Sequence, residues 1–100
     1  MEDINKSKFE DMIKLQEMIS QFLDEELRVK SWPARKDRKL AVLYYISTKF
    51  EVGVSYSEKE VNEIITKWHT FGDFFLLRRE LIEENLLVRT NDGSRYWKET

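Results

Sequence analysis

The chain has no cysteine, a single histidine, one proline and three glycines in its 100 residues. Without cysteine there is no disulfide framework, no thiolate metal site and no cysteine nucleophile. His69 alone does not supply the ligand set of a structural zinc site or a zinc hydrolase. Gly53, Gly72 and Gly93 are too far apart to form a phosphate-cradling loop. The scarcity of glycine and proline also excludes collagen-like and low-complexity chains. No apolar run approaches the ~20 residues of a membrane span. The acidic start Met1-Glu2-Asp3 is unlike a signal peptide. What the chain does have is 41% hydrophobic, 36% charged and 13% aromatic residues. That mix argues against intrinsic disorder, and a chain of this length buries roughly two-thirds of its unfolded surface on folding. The expectation is a cytoplasmic globular domain with no metal and no cofactor.

The net charge of -2 conceals an asymmetry. Residues 1–27 hold eight acids against three lysines, a balance of -5, and residues 28–100 hold fourteen basic residues against eleven acids, a balance of +3. Arg28, Lys30, Arg35, Lys36, Arg38 and Lys39 concentrate the excess, interrupted only by Asp37. Such a cluster reads either as an anion-binding patch or as a solvated helix start paired with the acidic segment before it.

Helical periodicity runs from Ser7 to Glu26, with Phe9, Met12, Ile13, Ile19, Phe22 and Leu23 on one stripe. This stretch is read as an N-terminal extension, residues 1–27, ahead of a domain over 28–100. Its apolar face must be buried on that domain or on a second copy, so a homodimer through this helix stays open. Pro33 is well placed just inside a helix start, predicting a helix from Ala34 to Lys49. Leu40, Leu43, Tyr44 and Phe50 form its inner stripe, and Ala41, Val42 and Tyr45 a second one. Val54-Ser55-Tyr56 reads as a short strand. Ser57 followed by Glu60 is a capping box, opening a helix with Val61, Ile64, Ile65 and Trp68 on one face. After Thr70-Phe71-Gly72, Asp73 caps a helix whose inner face is Phe74, Leu77, Leu81 and Ile82. It ends near Asn85, which tolerates a left-handed C-cap. Leu86 to Arg89 and Ser94 to Trp97, joined through Asn91-Asp92-Gly93, read as a β-hairpin. The order predicts an α+β, mainly helical, winged helix-turn-helix-like domain with a C-terminal β-hairpin.

Several short motifs occur in one order across residues 30–98. They are Trp32-Pro33-Ala34-Arg35-Lys36, Lys39 to Leu43, Tyr56 to Asn62, Leu77 to Leu81, Leu87 to Thr90, and Asp92 to Trp97. Together they resemble a bacterial domain of unknown function, number 2087. In that family the domain often stands behind a helix-turn-helix module in proteins regarded as transcriptional regulators, and it has no established activity. The family tends to have glycine where Asn85 stands, compatible with the same helix end. Here a single N-terminal helix precedes the resembling region. The resemblance implies an uncharacterised regulatory module.

In a winged-helix arrangement, the helix from Asp73 to Glu84 enters the major groove of DNA. Steps of about 100° place Leu76, Arg79, Glu80 and Glu83 outward, with Phe75 beside them. One arginine between glutamates is a poor match to a polyanion. The candidate nucleic-acid-binding residues are therefore Arg79 on that helix, Arg35, Lys36 and Lys39 in the basic cluster, and Arg95 and Lys98 in the wing, with Arg89 nearby. Arg78 falls toward the inner face, where a buried charge needs a partner. Glu58 or Glu60 can provide a structural ion pair, and anion binding by Arg78 is the functional alternative. Exposed apolar residues motivate a second reading, a protein-interaction or homodimerisation module that binds no DNA. An enzyme is not expected, because His69 and Asp73 lack an accompanying nucleophile and straddle a helix boundary.

Overall fold

The computed structural model describes residues 13–99. Residues 13–19 are helical, here α1, and continue into a 3-10 turn at Ser20–Phe22. Phe9 and Met12 of the expected stripe lie outside the described residues. The helix stops short of Glu26 because Asp24 offers its backbone a competing arrangement. The Asp24 carboxylate accepts from the backbone N–H of Glu26 at 2.9 Å, and from Arg28 through both its N–H at 2.8 Å and its Nε at 3.0 Å. Those bonds, above all the one from the Arg28 N–H, hold the Asp24 carboxyl below its ordinary value. The chain reverses through Leu27, whose φ is 64°, so the junction expected at residue 27 falls inside a tight loop. Val29 then bridges antiparallel to Leu23 and parallel to His69. Its N–H donates to Trp68 and its carbonyl accepts from Thr70, at 2.8 and 2.9 Å. That inserted rung and the fully buried Ile19 attach the N-terminal region to the rest of the core.

Helix α2, Lys36–Ser47, begins after an extended Arg35 N-cap and the buried Pro33. It is two residues shorter at each end than the predicted 34–49. At its C-terminus the Ser47 and Thr48 hydroxyls donate to the carbonyls of Tyr44 and Tyr45, taking acceptors that further turns would have used. Ala41, Val42, Leu43, Tyr45 and Ile46 are buried, whereas Tyr44, expected inward, is 47% exposed. At about 100° per residue those five cover an arc of about 200°. Tyr44 falls opposite it, so the two expected stripes are one broad face that omits Tyr44.

Helix α3, Glu58–Lys67, has the complete capping box: Glu60 N–H donates to Ser57 Oγ at 3.1 Å and Ser57 N–H to Glu60 Oε1 at 2.8 Å. Helix α4, Phe74–Glu83, is capped by Asp73, which accepts from Leu76 N–H at 3.0 Å. Val61 and Ile65 of α3 and Leu77 and Leu81 of α4 are fully buried. Phe74, expected on the inner face, is 38% exposed because it stands a full turn ahead of Leu77, the first buried residue of α4. Asn85 adopts φ 58° just after the helix.

Strands β1, Val88–Arg89, and β2, Tyr96–Trp97, pair antiparallel, with Val88 opposite Trp97 and Arg89 opposite Tyr96. Tyr56 and Tyr96 exchange two backbone hydrogen bonds of 2.8 Å, so the expected strand at Val54 to Tyr56 is reduced to a single antiparallel bridge on β2. The described chain is thus mainly helical with a small antiparallel sheet, an α+β arrangement. None of its helices is long and apolar enough to cross a membrane.

Candidate functional site

Between the outer face of α4, the first turn of α3 and the hairpin lies a cleft of roughly 350 Å³. Phe75, Arg78, Arg79, Ile82 and Glu83 line it from α4, and Glu58 from α3. Arg89, Asp92, Gly93 and Tyr96 complete it from the hairpin. Helix periodicity explains the α4 contribution, since 75, 78, 79, 82 and 83 recur at three- and four-residue steps.

Arg78 forms the floor. Its Nη1 lies 2.9 Å from Glu58 Oε1 and donates to Asn62 Oδ1 at 2.6 Å, with the side chain 14% exposed. The Phe75 ring covers its guanidinium at 5.3 Å. Glu60, the other expected partner, is committed to the α3 cap, and its carboxyl is lowered chiefly by the Ser57 N–H. Asn62 was not singled out from the sequence. Its place four residues after Glu58, on the same helix face, is the sequence feature that marks it as a second partner.

The hairpin supplies the facing wall. Asp92 accepts from Thr90 Oγ1 at 2.7 Å and from Ser94 N–H and Oγ at 3.0 and 2.8 Å. These bonds, led by the one from Thr90, lower its carboxyl to about 2. Gly93 is buried with φ 72°. A Cβ there would stand 3.3 Å from Arg89 Nη1 and 3.9 Å from both Glu58 Oε2 and the Tyr96 hydroxyl. The positive φ of the turn is what favours glycine here, since a Cβ would ask only the exposed Arg89 Nη1 to give by a few tenths of an ångström.

The residues considered for nucleic-acid binding occupy separate places. Arg35 and Lys36 are exposed at the start of α2 and Lys39 is half-buried there, its ammonium 5.8 Å from the Trp32 ring. Arg35 and Arg38 both pair with Asp37, at 3.4 and 3.8 Å. Lys98 stands at the opposite end of α2, donating from Nζ to the Ser47 carbonyl at 3.0 Å. Some 16 Å of helix separates these two ends. Arg95 is exposed on the hairpin, and Arg79 is exposed and lines the cleft, as Arg89 does from the hairpin.

His69 is buried and fully engaged. Its Nδ1 donates to the Ile65 carbonyl at 2.6 Å, and its Nε2 accepts from the Asp73 backbone N–H at 2.9 Å. The imidazole therefore braces the α3–α4 turn, and its contact with Asp73 is to the backbone. Among the described residues no group of three or more His, Asp or Glu is placed to hold a metal ion.

No curated protein and no solved structure matches the chain. Residues 28–98 match the model of the family described as an uncharacterized protein conserved in bacteria (DUF2087). With most of its length in that match, the chain belongs to this family.

Proposed function

We propose that the chain is a winged-helix regulatory module that docks on duplex DNA through α4 and the hairpin. The observation that carries this reading is the reciprocal backbone pairing of Tyr56 with Tyr96. It sets a third extended segment beside the hairpin, which supports reading the order as the helix, strand, helix, helix, strand, strand of a winged helix. The cleft between α4 and the hairpin puts Arg79 and Arg89 on one side of the molecule, where a recognition helix and wing meet a duplex. Arg95 on the hairpin and Arg35, Lys36 and Lys39 at α2 supply further cations for phosphate contacts. Lys98, tied to Ser47, has a mainly structural part.

Fluorescence anisotropy with a labelled random-sequence duplex tests this. Binding on the order of micromolar at low salt, weakening steeply at physiological salt, is expected of a phosphate-contacting surface. Arg79→Ala, Arg89→Ala and Arg95→Ala should each lower the salt dependence by about one counterion. Absence of binding at low salt overturns the reading. A second reading, a protein-docking platform, is favoured by the exposed Phe74 and Phe75 at the start of α4, 38% and 54% accessible. A self-association equilibrium in sedimentation that Phe75→Ser abolishes would identify the partner as a second copy of the chain.

A further inference from the structure

The cleft that presents Arg79 and Arg89 in the duplex reading is also enclosed enough to take a small molecule. Three arginines and three carboxylates line it, nominally neutral. Two of the acids are already committed: Glu58 to Arg78, and Asp92 to the Thr90 and Ser94 groups of its own turn. Arg78 is held in turn by Glu58 and Asn62. Among the described residues, Arg79 and Arg89 have no carboxylate within ion-pairing distance, and only Glu83 remains as an uncommitted acid. Hydrogen bonds do not discharge Asp92, so the lining stays neutral as a whole, and what it offers an anion is the pair of guanidinium groups of Arg79 and Arg89. The Tyr96 hydroxyl, the Arg89 guanidinium and Glu58 Oε2 converge over Gly93. Phe75 and Ile82 supply apolar surface on the opposite wall.

From this we infer that the cleft is a binding site for a small organic anion, an oxyanion headgroup on a flat apolar body. Arg79 and Arg89 would take the headgroup, guanidinium forks being matched to carboxylate and phosphate oxygens. The Tyr96 hydroxyl donates a further hydrogen bond, and the body lies against Phe75 and Ile82. Arg78 and Glu58 are positioning residues that hold the floor and Phe75 in place. The volume, roughly 350 Å³, falls at the small end of ligand pockets. Gly93 leaves Arg89 Nη1 uncrowded, a Cβ there standing 3.3 Å from it.

Amide NMR titration of the full chain tests the site with four probes: phenyl phosphate, benzoate, inorganic phosphate and benzyl alcohol, at constant ionic strength. Saturable shifts at Phe75, Arg89 and Gly93 are expected with phenyl phosphate or benzoate, and the tighter of the two assigns the headgroup. Inorganic phosphate and benzyl alcohol should each bind at least about tenfold more weakly, lacking the body or the charge. Arg79→Met and Arg89→Met, both at exposed positions, should each weaken binding about tenfold while leaving amide shifts remote from the cleft unchanged. Equal binding of inorganic phosphate and phenyl phosphate overturns the proposal, leaving a bare phosphate contact. Equal binding of benzyl alcohol, indifference to both arginine variants, or no saturable shift with either aromatic anion overturns it too. A duplex that binds where neither aromatic anion does would refute this site and leave the duplex reading standing.

Discussion

Replacing His69 should show that the α3–α4 turn depends on two backbone hydrogen bonds made by one buried ring. The imidazole is 5% exposed and spans from the Ile65 carbonyl to the Asp73 N–H. In His69→Leu both bonds vanish in a site of similar volume. The Ile65 carbonyl still accepts from Trp68 N–H at 3.1 Å, so it is not orphaned. The Asp73 N–H, at the start of α4, loses its partner. Two lost hydrogen bonds at about 1 kcal/mol each, and an unsatisfied amide at about 1–3 kcal/mol, give a loss of roughly 2–4 kcal/mol, since the terms overlap. For a domain of this size that is a fall of roughly 10–25 °C in Tm. Two further variants separate the bonds. Asparagine places its amide nitrogen near the position of Nδ1 and retains the Ile65 contact, whereas glutamine places its amide oxygen near Nε2 and retains the Asp73 contact. Both should lie between wild type and leucine in thermal and urea unfolding followed by circular dichroism. A leucine variant as stable as wild type would refute the reasoning and make His69 a space-filling core residue.

Other outcomes follow from the same geometry. Leu81→Ala, at a fully buried position between the two packed helices, should cost about 2–5 kcal/mol in urea unfolding. Leu27→Gly should stabilise by about 1 kcal/mol in the same assay, because an exposed leucine is held there at φ 64°. Asp92 has a folded-state value of about 2 against an ordinary 3.8, so its stabilising contribution is complete above the latter and lost as pH falls through the former. Following the Ser94 amide by NMR should show the hairpin turn changing in that window, and Asp92→Asn should remove the transition. A Ser94 shift that titrates near 3.8 in the wild type would refute the turn network.

Much of the local structure was legible because its causes are local. The Ser57–Glu60 box, the Asp73 cap, the Asn85 stop and the Asn91-Asp92-Gly93 turn each arise from side chains within a few residues of the backbone they satisfy. Burial was less legible at element ends. Tyr44 and Phe74 have the right residue type for a core stripe, and only the reach of neighbouring elements leaves them at the surface. Leu23 to Val29 was hidden as well: the Asp24 carboxylate competes with helix hydrogen bonds, and the backbone partners of Val29, Trp68 and Thr70, lie some forty residues downstream.

The family resemblance and the order of helices and hairpin were determined by the sequence alone, since periodicity, caps and turn residues act over short distances. Which charges remain uncommitted was decided only by the tertiary structure. Arg78 and Arg79 are neighbours of identical type, yet one is paired in the floor of the cleft and the other is exposed at its wall. Arg89 joins the latter from the hairpin. A one-residue step around α4 turns a side chain by about 100°, and the elements packed on either side determine whether it meets a carboxylate or open solvent.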